Sequence, residues 1–454
     1  MFVNSVYQNR RLILKHKVDS GIIWLQGNRE IGMNYRGNSF PFRQDSSFLY
    51  YTGIDIPGLH LIIDIDNDRE ILVGDDLTID ASIWVGNLPA LATRADESGI
   101  TEVLSTEEFE NLLEGAVKTN RDIHTLPLYH QYQESMAARL LGKPSNFSVS
   151  LIEAIVGQRS KKEDREVREI EDALSITAEV HKNVMLLCNE GRTEREMYAR
   201  AMEIIYSHGG RLAYPAILTN RGETLHINTY NNTLKKGQML LCDIGAENSM
   251  HYASDITRTT PVGRKFDTRQ KDIYSIVLEA QKKSIDALKP GKAFKDIHLI
   301  ASEILASGLV DLGLMKGAPE EIVEKGAHAL FFPHGLGHMI GMDVHDMEGL
   351  GEKYVGYNKY IQRSEQFGIN HLRLGRTLEK DNVITVEPGL YFIPQLIALW
   401  KREKRFSEYV NYDLLDNWLD FGGVRIEDDI LITSSDYEVL GPPIPKEIED
   451  LESL

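Results

Sequence analysis

The sequence predicts a mixed α+β protein in two parts, a smaller α/β domain over residues 1–158 and a larger α+β domain over residues 159–454. Three observations predict it. A chain of 454 residues has room for more than one core, at roughly 100 to 200 residues per domain. The composition turns abruptly charged over residues 156–168 (VGQRSKKEDREVR), where a long helical pattern opens. Beyond that point helical segments are interleaved with strand-like runs, and no period of roughly 20 to 50 residues marks a solenoid or propeller.

Taken in chain order, residues 21–27 (GIIWLQG) form an apolar run closed by glycine, which suits a buried strand. Residues 60–65 and 70–73, split by Asp66-Asn67-Asp68, read as a β-hairpin with a polar turn. From about residue 161 the apolar positions Ile170, Leu174, Ile176, Ala178, Val184 and Leu187 recur at near-helical spacing, and Gly191 stops the pattern. Further helices are expected over 194–208, 267–288 and 293–313, and strands over 238–245, 252–261, 382–392 and 423–433. Residues 349–370 have no clear period and read as a long loop of the kind that often carries function.

Composition removes several function classes. Apolar residues at 42% and charged residues at 26% describe a globular protein, not a disordered one. The net charge of −18, from 68 acidic and 50 basic residues, argues against a nucleic-acid partner. Cys188 and Cys242 are too few for a disulfide framework and fit a reducing compartment. The first twenty residues break every apolar stretch with a charge, and no run approaches the roughly eighteen apolar residues of a membrane span. A cytoplasmic protein with no membrane partner is expected.

Four segments place acids or histidines inside apolar sequence. Asp243 in LLCDIG and Asp255 in YASDITRTTPV, joined by ENSM, form an expected hairpin whose carboxylates converge on one ion. Either Asp alone is as well explained by a turn or cap. Asp243, however, follows Met239-Leu240-Leu241-Cys242, where an ionised acid is costly unless paired or metal-bound. The segment FFPHGLGHMIGMDVHD carries His334, His338 and His345. It is not the helical zinc-protease motif, which needs Glu directly after the first His, a position held here by Gly335. Gly335 and Gly337 suggest a loop that brings backbone and imidazoles close to a ligand. Glu387 in DNVITVEPGLYF and Glu427 in FGGVRIEDDILIT interrupt β-branched runs, and a salt bridge to Arg425 on the same strand face is the plain explanation for Glu427. Two Asp, two Glu and at least one His make an oxygen-rich set with a single imidazole. That set suits two divalent ions, Mn²⁺ first, with Co²⁺, Fe²⁺ or Zn²⁺ as alternatives. Two ions about 3.5–4 Å apart activate water and polarise a carbonyl together, so hydrolysis is the expected chemistry.

The series His226, Asp243, Asp255, His338, Glu387 and Glu427, in the settings LHIN, CDIGAE, SDITRT, PHGLGH, TVEPGLYF and GGVRIEDD, resembles the pita-bread metallopeptidases. The resemblance is to their proline-specific branch, aminopeptidase P and prolidase. It extends to the first domain, where Pro41-Phe42-Arg43-Gln44-Asp45-Ser46 and Tyr51-Thr52-Gly53 are similar to the amino-terminal domain of that branch. The resemblance implies a creatinase/aminopeptidase-like catalytic domain. It makes Asp243 and Asp255 ligands of one ion, has Asp255 and Glu427 bridge, and lets His338 and Glu387 complete the other. It also makes Glu387 a proton shuttle and places His226, His334 and His345 on the substrate, where they steady the tetrahedral intermediate. A homodimer is implied as well. Asp243 and Asp255 lie twelve positions apart where the family usually has eleven, so a turn or bulge must absorb one residue. Ile227 also stands where Tyr is common after the histidine.

Within the branch, Arg376 looks like an arginine shared by both groups, and Arg373 is similar to the one prolidases use for a terminal carboxylate. A solvated surface arginine is the other reading of Arg373. The stretch from Ile393 to Gly422 also resembles prolidase more than aminopeptidase P. The expectation is a dinuclear Mn²⁺ exopeptidase that cleaves the bond before proline, leaning to an Xaa-Pro dipeptidase. The alternative is an Xaa-Pro aminopeptidase acting on longer peptides. A non-catalytic binding protein on the same fold is disfavoured by the presence of all five ligand positions, while hydrolysis of organophosphate esters as a side activity stays open.

Overall fold

The computed structural model describes residues 1–86, 88–142, 144 and 146–454. The chain divides into two compact units, Met1–Arg159 and Ser160–Leu454. The first is built on a mixed five-stranded sheet, ordered Glu102–Leu104, Arg69–Val73, His60–Asp64, Ile22–Gln26, Ile123–His124. The hairpin expected from its polar turn pairs His60–Asp64 with Arg69–Val73, and Arg121 clamps the turn by donating to Asp64 and Asp66, each at 3.0 Å. Ile22, Trp24, Ile62, Ile71 and Val73 pack against Phe109, Leu113, Ala137 and Leu140 of the helices Thr106–Lys118 and Gln131–Leu141. The Arg43-Gln44-Asp45-Ser46 segment is a helix start, because Asp45 accepts from the Phe48 amide at 2.9 Å and caps Ser46–Thr52. Gly53 ends that helix in the left-handed conformation, where a Cβ would lie 2.3 Å from the Tyr7 hydroxyl. The helix Ile79–Val85 buries none of its residues and leaves Ile79, Ile83 and Trp84 at 83%, 74% and 87% exposure.

In the second unit the predicted long helix spans Asp164–Leu187 and is followed by Glu194–Ser207, which opens on a Thr193–Glu196 capping box. Both helices lie on the sheet Ile217–Thr219, Met239–Asp243, Thr257–Pro261, with Val180, Val184, Met197, Ala201, Leu218, Leu240 and Cys242 in one core. A second helix pair, Thr268–Asp286 and Phe294–Asp311, crosses closely because Gly308 faces Ile276, whose side chain a Cβ would meet at 2.5 Å.

The expected strands over 382–392 and 423–433 are each broken in two, and the break positions the site. Val383–Val386 pairs with Asp428–Ile432, and Gly389–Tyr391 pairs with Gly423–Arg425. One antiparallel register runs through both ladders, so Glu387 and Glu427 oppose each other at the break. There the backbone turns to other partners. Glu387 donates its amide to Leu336 at 2.8 Å, Glu427 donates to Thr257 at 3.1 Å, and Pro388 has no amide to give. Residues 349–370 contain only short helical turns, the end of Glu348–Leu350, Glu352–Val355 and the start of Ile369–His371.

Candidate metal centre and substrate cavity

The hairpin carrying the two aspartates keeps one register from Met239↔Pro261 through Asp243↔Thr257 to Glu247↔Ala253, with no bulge. Asp255 lies two residues beyond the partner of Asp243 and therefore on the same sheet face. The extra residue sits in the turn. Asn248 accepts from the His251 amide at 3.0 Å and donates its own to Tyr252 at 3.0 Å, which leaves a three-residue loop ending in His251 at φ 64°. Gly245 faces Ser254 so closely that a Cβ would lie 1.7 Å from its carbonyl oxygen.

The His loop joins the broken strand along its edge. Thr385 donates to the His338 carbonyl at 2.9 Å, Ile340 to that of Val383 at 3.1 Å, and Met339 bridges Ile384. Gly337 is required here, since its Cβ would stand 2.1 Å from the Thr385 carbonyl oxygen. The glycines expected to admit a ligand thus admit the neighbouring strand as well.

These elements gather Asp255, His338 and Glu427 with ligand atoms all within 4.8 Å of one another. His338 Nε2 lies 3.3 Å from Asp255 and 3.9 Å from Glu387. Tyr214 ties Asp243 to the group by donating to Asp243 at 2.6 Å and meeting Asp255 at 2.5 Å. His338 Nδ1 donates to the Met339 carbonyl at 3.0 Å, so its Nε2 lone pair faces the carboxylates. Burial lowers His338 to about 4, which keeps it neutral. Burial and Asp243 raise Asp255 to about 7. Burial, with Asp255 and Asp243, raises Glu387 to about 8 against the pull of Arg425. Glu427 is pushed well up by burial and the same acids. Glu427 accepts from Thr257 at 2.7 Å through one oxygen, while its other oxygen, Oε1, is buried with no hydrogen-bond partner. Acids forced together out of water, one with an unmatched oxygen, beside a neutral imidazole fit a divalent cation.

A cavity of about 990 Å³ opens onto this centre and is lined by all the expected site residues: His226, Asp243, Asp255, His334, His338, His345, Arg373, Glu387 and Glu427. His226 stands on an irregular turn at the exposed side of the cavity. His334 Nδ1 donates to the Gly335 carbonyl at 2.8 Å and its Nε2 accepts from the Tyr391 hydroxyl at 2.8 Å. The His345 ring lies 4.1 Å from that of His338, centroid to centroid.

Three further features find their places in the structure. Arg425 does not serve Glu427. It reaches across to Asp243 and also donates to Tyr391 at 2.8 Å and Thr257 at 3.2 Å. Arg376 lies outside the cavity lining and donates to Val355 and Glu379. The segment after Ile393 forms the helix Pro394–Glu403, which sends Ile397 and Trp400 into the core and Leu396 and Leu399 to the cavity wall. Tyr214 and Asp429, which accepts from the Asp255 amide at 3.1 Å, are site residues that the sequence did not disclose. A tyrosine in RLAYPAIL looks like any core aromatic, and Asp429 is hidden in the acidic run EDD.

Buried carboxylates with one imidazole, on a broken sheet flanked by helix pairs, define a metal-dependent hydrolase. Residues 168–434 match metallopeptidase family M24 and residues 7–124 match the aminopeptidase P N-terminal domain. The chain belongs to family M24 and has the pita-bread catalytic domain preceded by the aminopeptidase P-type domain. It is a metallopeptidase. A probable Xaa-Pro aminopeptidase of Fusarium vanettenii is 33% identical over 97% of this chain and 94% of its own length. The structure of proline aminopeptidase P II from Yersinia pestis is 29% identical with a TM-score of 0.83, covering 100% of this chain and 99% of that one. Zinc-substituted E. coli aminopeptidase P in complex with product is 27% identical with a TM-score of 0.83, over 99% and 97% of the two chains. These relatives are aminopeptidases, so the leaning towards a dipeptidase is not supported, and the segment 393–422 is no mark of one.

Proposed function

We propose that this chain is an Xaa-Pro aminopeptidase, releasing the first residue from peptides that carry proline second, including peptides longer than dipeptides. One observation carries the reading. Arg373, the residue expected to hold a dipeptide's terminal carboxylate, is engaged by Glu348 and lies 3.7 Å from Glu352, so its charge is matched inside the protein. A terminal carboxylate would have to share the guanidinium with Glu348 and meet the like charge of both acids, which weakens its capture. The names of the aligned relatives and a cavity of about 990 Å³ with the apolar wall Phe367, Leu396 and Leu399 support the same reading.

Asp243, Asp255, His338, Glu387 and Glu427 would hold two divalent ions, Mn²⁺ first. The ions, when bound, supply polarisation of the scissile carbonyl and a water acidic enough to attack near neutral pH. Glu387, held at the break opposite Glu427, takes the proton of the attacking water and returns it to the proline nitrogen as the bond breaks. His226 and His345 face the substrate and steady the tetrahedral intermediate, and His334, which lines the same cavity, acts by holding the Tyr391 hydroxyl through its Nε2. Arg425 and Tyr214 hold Asp243 at its place. We also read the protein as a cytoplasmic homodimer whose contact includes the exposed apolar helix Ile79–Val85.

The test compares an Xaa-Pro dipeptide with an Xaa-Pro-Xaa tripeptide on chelated and Mn²⁺-reloaded protein. Chelated protein is expected to be inactive, and reloaded protein to cleave the tripeptide at least as well as the dipeptide. Strong preference for the dipeptide, lost specifically in Arg373→Ala, would restore the dipeptidase.

A further inference from the structure

We propose that Glu348 is a positioning residue for His345, fixing the ring so that its Nε2 faces the substrate. The inference rests on the reading of His345 as a substrate-side residue. Glu348 Oε2 lies 2.5 Å from His345 Nδ1, and Glu348 Oε1 engages Arg373 Nη1, so the carboxylate, set behind the cavity in a small adjoining recess, links two residues that line it. A carboxylate accepting from Nδ1–H selects one tautomer and one ring rotation and leaves the Nε2 lone pair directed elsewhere. Here Nε2 is left for the cavity.

The backbone is shaped to make this contact. Glu348 returns to His345 through a tight turn, its amide donating to the His345 carbonyl at 3.1 Å. The turn holds Met347, buried and neither glycine nor asparagine, in the left-handed conformation at φ 62°. Such a conformation is uncommon for this residue type and persists where the surroundings impose it. The surroundings do so here: Asp346, between the two partners, pairs with Lys162 at 2.8 Å, both side chains being 1% exposed. Arg373 then fixes the far side of the Glu348 carboxylate. This gives Arg373 a place in the site as an anchor of Glu348, where a carboxylate-binding role had been expected.

The experiment uses full-length, metal-loaded wild type, H345A, E348A, E348Q and H345A/E348A, with kcat and KM on an Xaa-Pro-Xaa tripeptide and metal content for each. E348A is expected to lose about 10- to 100-fold in kcat with KM nearly unchanged. E348Q keeps an acceptor for Nδ1–H and is expected to regain most of that loss. In the H345A background E348A is expected to add nothing, because a residue acting through His345 has no effect once the ring is gone. Independently of turnover, ¹⁵N spectra of histidine-labelled protein should show His345 protonated at Nδ1 in wild type and E348Q but redistributed in E348A. The inference is overturned by an E348A protein as active as wild type, by losses that multiply in the double variant, by E348Q as impaired as H345A, or by an unchanged tautomer in E348A. Should H345A itself be fully active, the substrate-side role of His345 fails and the inference with it. Impaired H345A with multiplying losses removes the inference alone.

Discussion

Glu427 has one oxygen matched by Thr257 and one buried without a partner, whereas His334 has both ring nitrogens engaged by neighbours in the protein. The two residues should therefore separate cleanly on substitution. Glu427→Ala is expected to remove most bound metal and nearly all turnover, while His334→Ala should lower turnover by roughly 10²-fold with metal content unchanged. Elemental analysis beside kinetics decides it, and metal loss from His334→Ala equal to that from His338→Ala would redraw the centre. The raised carboxyls give a second expectation. Asp255 at about 7 and Glu387 at about 8 bind protons in the folded protein that the unfolded chain, with ordinary values, has already lost. Chelated protein should thus lose stability as pH rises from about 4 towards 8, with opposite sign to the usual acid effect. Melting curves across that range should show the slope in chelated protein and a much smaller one after metal loading. At this scale the residues that gather in the centre were legible because acids and histidines interrupt apolar runs. Tyr214 was not, since nothing local distinguishes a tyrosine that bridges two aspartates from one that fills a core.

Among the elements, the strand Asp428–Ile432 opens on a buried charge network. Arg258 donates to Asp428 at 2.6 Å and to the Glu427 carbonyl at 2.6 Å, and Lys446 meets Asp428 at 2.5 Å. Burial alone would raise Asp428, but Arg258 and Lys446 outweigh it and hold the acid at about 2. Its stabilising contribution is complete above the ordinary value near 4 and is lost as pH falls from there towards 2. Asp428→Asn is expected to destabilise the fold by about 2–3 kcal/mol at neutral pH, read as a lower midpoint of denaturant unfolding, and to flatten the acid limb. A substitution that leaves both unchanged would show that the network is structural ornament on an already rigid strand. Helix extents were largely visible, as in Asp164–Leu187 against an expected start near residue 161 and a stop at Gly191. The strand breaks were not, because a Glu inside VITVEPGLY gives no sign that its opposite number on a distant strand is also a Glu. That fact belongs to the register, which forms only when the chain folds.

At the scale of the whole molecule, the helix Ile79–Val85 leaves apolar surface uncovered among the described residues, with Ile83 and Trp84 74% and 87% exposed. If a second copy covers it, sedimentation should give about twice the 51.4 kDa chain mass, and Ile83→Asp with Trp84→Asp should return it to one. Unchanged association in that variant would place the contact elsewhere. No helix among the described residues is long and apolar enough to cross a membrane. The two-part organisation was readable from the charged onset of the helix before residue 168, since a change in composition is a property of the chain itself. The branch of the family was misjudged for the opposite reason. Arg373 was weighed as a single residue, and the acids that engage it, Glu348 and Glu352, lie at and just inside the start of a segment with no period to announce them.

The three-residue turn ending in His251 has a hereditary consequence. Because the paired strands fix which residue faces Asp243, a codon gained or lost between Asn248 and Tyr252 alters the count separating the two aspartates and leaves their juxtaposition across the strands intact. That interval can therefore drift in length between lineages without selection on the chemistry, and descent is better traced by the pairing partners than by the number of letters between them.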